Sequence, residues 1–386
     1  MFLFNNLQRI TSSGRFIPEI DGLRFVAIMS VVVFHLNGFI LAKQTAVYSD
    51  NSQHWYIFQD LFQHGHYGVE LFFVISGLIL GLPFASHYIN QDKLPSLKNF
   101  YIRRVTRLEP PYILSMLLLF FASVFVVGKF SLGVGLPSLL ASLTYTHNIF
   151  YGRDSTPLIN NVAWSLEIEI QFYLLAPFFA KIFSLEKNLR RIILLACVPF
   201  FSILQAYIQL PFVSLFEYVQ FFAVGFLLAD LYVSKEDKFN KNNILTILLG
   251  VLFFCVIWSY NLDKTHATAL VKIIWFTIFP LAIFGFYYLV LFTKFWKGIF
   301  SHKFLTVIGG MCYTIYLLHY SIISMFGNWT IKRSFSNTFW IDWLIQSVIL
   351  SSLVLIICSI YFALIERPCM QKDWHKRLFE KVKSKK

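Results

Sequence analysis

A histidine sits inside an unbroken apolar run, and an arginine precedes it by eleven positions: Asp21-Gly-Leu-Arg24-Phe-Val-Ala-Ile-Met-Ser-Val-Val-Val-Phe-His35. Eleven residues at about 100° each return to within roughly 20° of the starting direction, so on a helix Arg24 and His35 share one face about 16 Å apart. An imidazole in such a place can act as a base or a nucleophile, and an arginine can hold an anion. A snorkelling arginine and a histidine bonded to a neighbouring helix would give the same pattern.

Other chemistry-bearing residues cluster in four places. Glu70, in Tyr67-Gly-Val-Glu70-Leu-Phe-Phe-Val-Ile-Ser76-Gly77, puts a carboxylate at the start of the second apolar run, where it could orient the His35 ring. A helix N-terminus favours such a carboxylate in any case. Arg103-Arg104-Val-Thr-Arg107 precedes Pro110-Pro111, which is expected to break the backbone. Arg104 and Arg107, three apart, can face one way and grip a polyanion with forked donors, although anchoring at a membrane surface needs only single arginines.

In Trp164-Ser165-Leu-Glu167-Ile-Glu169-Ile-Gln171-Phe-Tyr173 the two glutamates are two apart, about 200° around a helix, so only one can face a shared site. Ser165, Glu169 and Tyr173 form one row, and Glu167 with Gln171 another. His319, in Tyr316-Leu-Leu-His319, reads most simply as a structural histidine. Glu366-Arg367-Pro368 reads as a helix stop with a local ion pair.

The elements that must position these residues follow from composition. Of 386 residues 57% are hydrophobic and 14% charged, far more apolar surface than a soluble core could hide. The apolar runs show no alternation of period two, so the chain is expected to be an all-α, polytopic membrane protein. Ten spans fit, near 22–42, 66–86, 108–128, 163–183, 192–209, 215–233, 244–260, 268–293, 304–325 and 339–364. Segment 133–149 is broken by Gly133, Gly135 and Pro137 and fits an interfacial or re-entrant piece.

With the N-terminus in the cytoplasm, all but seven of the 33 Lys and Arg (Lys43, Lys129, Arg153, Lys264, Lys272, Lys332 and Arg333) fall on inner segments, which places both termini inside. The net charge of +13 is explained by this topology, not by nucleic acid binding. No signal peptide is apparent, and the first span is expected to stay as an anchor. The five cysteines are scattered, without the spacing of a metal site or disulfide framework. No internal repeat marks a transporter-type symmetry.

Taken in order, Asp21-Gly-Leu-Arg24 with His35, Gly68-Val-Glu70-Leu-Phe-Phe-Val-Ile-Ser-Gly, Arg104-Val-Thr-Arg107, Trp164-Ser-Leu-Glu-Ile-Glu169, Tyr316-Leu-Leu-His319 and Ile365-Glu-Arg-Pro resemble the acyltransferase-3 family of polytopic membrane enzymes along nearly the whole chain. The resemblance implies a transmembrane domain over 1–370, a basic cytoplasmic tail over 371–386, and residence in a bacterial inner membrane. It also implies transfer of an acyl group, most often acetyl, from cytoplasmic acyl-CoA to a hydroxyl of a cell-surface carbohydrate or its lipid-linked precursor. Acyl-CoA is then a donor substrate, and no permanently bound cofactor or metal is expected.

The family's catalytic histidine lands on His35, its acidic positions on Glu70 and Glu169, and its CoA-binding arginines on Arg24, Arg104 and Arg107. Glu70 stands where the family commonly has aspartate, and Glu167 where it commonly has a small polar residue. Some relatives carry a further extracytoplasmic hydrolase-like domain after the last span; the sequence stops soon after that point, so acceptor transfer is expected within the membrane domain or with a partner. A lipid-linked sugar transporter or flippase is the rival reading, and it predicts substrate movement without acyl-CoA. Neither the acceptor nor the oligomeric state is implied.

Overall fold

In the computed structural model, residues 7–10, 16–43, 56–235, 243–259, 267–333, 335–336, 338–371 and 374 are described. Most of the expected tail, 371–386, lies outside them. Helix α1 (Pro18–Lys43) begins on a proline, which needs no N–H partner there, carries Glu19 and Asp21 in its first turn and ends on Lys43, each charge opposing the helix dipole. A short α2 (Tyr56–Gln63) and a 3-10 turn (His64–Tyr67) lead into α3 (Gly68–Asn90). Gln91, in the left-handed region at φ 59°, closes α3 by donating its N–H to the Ser86 carbonyl.

Helix α4 (Leu97–Phe121) runs straight through Pro110 and Pro111, where a break is expected from the sequence. A proline at 110 leaves the Thr106 carbonyl without its helical partner, and the Trp374 indole N–H takes that place at 3.0 Å. The Tyr361 hydroxyl donates to the Pro111 carbonyl at 2.6 Å and so ties the same stretch to the C-terminal helix. Segment 133–149 resolves into two short helices, α5 (Leu132–Leu143) and α6 (His147–Tyr151).

The remaining helices are α7 (Trp164–Phe179), α8 (Lys187–Tyr207), α9 (Val219–Val233), α10 (Ile244–Trp258), α11 (Ala269–Phe292), α12 (Lys294–Phe300), α13 (Lys303–Gly310), α14 (Cys312–Thr330) and α15 (Phe339–Tyr361), which continues through a π turn to Cys369. Nine of the ten expected spans each overlap one α-helix, whereas 304–325 falls on two, α13 and α14; there is no strand among the described residues. Six helical stretches are long and apolar enough to cross a membrane, and a seventh if α13 and α14, bent by 71°, form one broken span. The others fall short of that length; α9 and α10 have 15 residues each.

At the centre α3 packs most extensively against α9, and α1 lies between α3, α13 and α14. The α3 and α9 backbones touch. A Cβ on Gly77 would lie 2.6 Å from the Phe222 carbonyl oxygen, and one on Gly225 2.8 Å from the Gly77 Cα. In lipid, helices associate by such close packing. Leu117, Leu118 and Phe121 on α4, Leu248 and Leu252 on α10, and Leu344 and Val348 on α15 are exposed and form part of the apolar outer face of a multi-pass membrane protein. All five cysteines are free thiols.

Candidate active site

Helix α1 delivers Arg24 and His35 as its periodicity requires, and α14 brings a second histidine to meet the first. His35 Nδ1 is 3.0 Å from His319 Nε2 and 3.1 Å from the Val31 carbonyl oxygen. His319 Nδ1 in turn lies 2.9 Å from the carbonyls of both Ile315 and Tyr316. Phe34 and Tyr320 meet the His35 ring edge-on, with centroids at 5.0 and 5.2 Å. His319 is fully buried, whereas His35 is half-buried. The hydrogen-bond partners of His35 are therefore a carbonyl and a histidine, not Glu70 or Glu169.

One turn along α14 from this pair, towards the chain's Arg24 side, begins a cavity of ≈ 320 Å³ lined by five arginines: Arg9, Arg24, Arg103, Arg104 and Arg107. Their positions are fixed unequally. Arg24 donates to Asp21 at 2.5 Å. Arg104 donates to the Phe100 carbonyl at 2.8 Å with its guanidinium 3.5 Å above the Phe100 ring. Arg9 Nε reaches only to 3.7 Å from Asp21, and the buried Nε atoms of Arg9 and Arg107 have no hydrogen-bond partner among the described residues. Burial, with Arg24 close by, pulls Arg9 down to about 9. Because arginine stays protonated in proteins, such a pull marks an unmet demand for an anion.

Two carboxylates share that cavity. Glu169 accepts from the Ser76 hydroxyl at 2.6 Å and from the Tyr173 hydroxyl, and Glu366 accepts from the Thr314 N–H at 3.1 Å and its hydroxyl at 2.5 Å. A basin of forked cations below an imidazole suits a polyanionic donor whose reactive end projects towards a base. An acyltransferase domain matches residues 17–363. The chain belongs to the acyltransferase-3 family. It is 27% identical over 353 residues, 83% of this chain and 52% of the relative, to O-acetyltransferase OatA of Staphylococcus aureus. It is 32% identical over 182 residues, 44% of this chain and 25% of the relative, to peptidoglycan O-acetyltransferase OatA of Listeria monocytogenes. The chain spans about half the length of the Staphylococcus aureus relative. No solved structure matches it.

In this chain, four of the six residues picked out from sequence line one cavity: Arg24, Arg104, Arg107 and Glu169. His35 lies outside its lining. The wall towards His35 includes Phe72, Ser165 and Tyr316, with the Tyr316 hydroxyl 2.6 Å from the Ser165 oxygen. Glu70 is half-buried in the first turn of α3 and lines neither the cavity nor the hydrogen-bond shell of His35.

Glu167 is fully buried and accepts the backbone N–H groups of His147 and Asn148 at 2.9 and 2.8 Å, so it anchors the start of α6. Glu366 is buried within the cavity wall and not part of a surface ion pair; Arg367 instead donates to the Gln8 carbonyl. Sequence reasoning undervalued His319 and missed Arg9. The three-residue spacing of Tyr316 and His319 was a signal for the former; the position of Arg9, in the segment before α1, gave none.

Proposed function

We propose that this acyltransferase moves an acetyl group from cytoplasmic acyl-CoA to a hydroxyl of a cell-surface carbohydrate or its lipid-linked precursor in a bacterial inner membrane. The observation that carries this reading is the arginine cavity one helical turn from the His35–His319 pair. In the proposed topology both termini are cytoplasmic, about ten helices cross the bilayer, and the cavity opens to the cytoplasm. Arg104 and Arg107, with Arg24, then take the phosphates of CoA, and its thioester arm runs along α1 for about 16 Å to His35.

His35 acts as general base. It removes the proton of the acceptor hydroxyl, the oxygen attacks the thioester carbonyl, and the C–S bond breaks; the CoA thiolate leaves and takes the proton back from His35. Glu169, held by Ser76 and Tyr173, keeps the lower part of the route polar. The names of the relatives support acetyl as the acyl group and a cell-wall glycan as one acceptor class.

Two measurements test the proposal. The full chain in lipid nanodiscs, titrated with acetyl-CoA, should bind it in a manner that weakens when CoA lacks its 3′-phosphate; no detectable binding at millimolar acetyl-CoA would overturn the reading. Rapid quenching after mixing with labelled acetyl-CoA and no acceptor should leave the protein unlabelled. Covalent label on His35 would replace the general-base step with an acyl-histidine step.

A further inference from the structure

We infer that His319 is the positioning residue of the catalytic base: it holds His35 with its proton on Nδ1, so that Nε2 is the bare nitrogen that meets the acceptor. This rests on the proposed transfer at His35. The argument is one of donors and acceptors. Carbonyl oxygens only accept, so the His319 Nδ1 that sits 2.9 Å from two of them carries a hydrogen. In the neutral ring His319 Nε2 is then a lone pair, and it points at His35 Nδ1 from 3.0 Å.

One of those two nitrogens must donate, and the Val31 carbonyl decides which. It lies 3.1 Å from the same His35 Nδ1. Were His319 to donate, the bare Nδ1 of His35 would face the Val31 oxygen, lone pair against lone pair. With the hydrogen on His35 Nδ1, both acceptors are satisfied by one shared donor. His35 Nε2 is left without a proton and without a partner among the described residues, on the half-buried ring of the pair.

His319 thus stands where a carboxylate stands in many base–orienter pairs, and it brings no charge into the apolar interior. When His35 Nε2 takes the acceptor's proton, the ring becomes cationic and its Nδ1–H bond to His319 becomes charge-assisted, which favours the charged state only at the moment it forms. The two carbonyls on His319 Nδ1 keep that ring from turning. Glu70 and Glu169, the residues a sequence reading would assign to this duty, are not bonded to His35.

The test compares His319→Leu, His319→Gln and His35→Ala as full chains in inside-out membrane vesicles from cells lacking the gene, with labelled acetyl-CoA as donor and the vesicles' own envelope glycans as acceptor. Base-labile label in the glycan fraction is the rate. His319→Leu should lower kcat about 100-fold with the KM for acetyl-CoA within about twofold of wild type, since the interaction is made in the transition state. His319→Gln, whose amide oxygen can accept from His35 Nδ1, should recover to within about tenfold of wild type. In nanodiscs, the nitrogen-15 spectrum of histidine-labelled protein should show His35, assigned by its loss in His35→Ala, protonated at Nδ1 and bare at Nε2.

A wild-type kcat in His319→Leu beside an inactive His35→Ala would overturn the positioning role, as would His319→Gln being no better than His319→Leu, or a His35 protonated at Nε2. Full activity in His35→Ala is the distinguishable case, because it removes the underlying transfer reading itself.

Discussion

The arginine cavity and the histidine pair share two helices, α1 and α14, with α3, α4 and α7 completing the cavity, yet the two regions are organised in opposite ways. Helix α1 gives Arg24 to the cavity and His35 to the pair; α14 gives Tyr313 and Tyr316 to the cavity and His319 to the pair. In the cavity two cations, Arg9 and Arg107, keep a buried Nε without a partner among the described residues. At the pair three of the four ring nitrogens are in hydrogen bonds, and one is not, among the described residues. Capture of a floppy polyanion needs surplus charge that can adjust, whereas proton transfer needs one atom held in one place.

The sharpest way to break this division is at His35. Replacing His35 by Ala should lower transfer by about 1,000-fold, within the range set by loss of a general base, while acetyl-CoA affinity stays within about twofold. An affinity that collapses together with the rate would merge the two regions into one. Next in size, Arg104→Ala combined with Arg107→Ala should raise the KM for acetyl-CoA about 100-fold with little change in kcat, at about 1.5 kcal/mol or more for each charged hydrogen bond. Steady-state kinetics separates the two parameters, and a loss confined to kcat would move these arginines from capture to chemistry.

Smaller effects sharpen the boundary. Arg9→Ala should weaken acetyl-CoA binding about tenfold in a calorimetric titration, and Arg9→Lys should recover most of it, because a poorly compensated cation has the most to gain from an anion. An unchanged affinity would limit capture to the other four arginines. The smallest change is expected for Tyr316→Phe, which removes the hydroxyl bond to Ser165 in the wall that separates the regions. It should cost about 1 kcal/mol in thermal stability and alter kcat only a few-fold; a large rise in the KM for acetyl-CoA would show that the wall belongs to the binding side.

The shared face of Arg24 and His35 was legible in the sequence because helical periodicity is a local property. The same rule established that Glu167 and Glu169 diverge, but not which one enters the site; that is decided by α6, whose first N–H groups claim Glu167. His319 could not be matched to His35 from sequence, since 284 positions separate them and only the packing of α14 on α1 joins them. Pro110 and Pro111 predicted a break, but Trp374 supplies a donor to the Thr106 carbonyl that Pro110 leaves free. The bend of 71° between α13 and α14 was hidden for the reverse reason: the run across it stays apolar, so composition alone reads it as one span.

Under the proposed function, the two carboxylates inside the arginine cavity bear on how quickly a new turnover can begin. If the donor is the proposed acyl-CoA, spent CoA carries the same phosphates, and a site made of arginine alone would grip product as firmly as substrate. Glu169 and Glu366 line the same cavity as Arg104 and Arg107. They are tethered by Ser76, Tyr173 and Thr314 and cannot drift away. In the proposed reaction each would be a resident competitor that offers the cations a partner as the nucleotide withdraws, trading tightness of grip for a shorter product residence time.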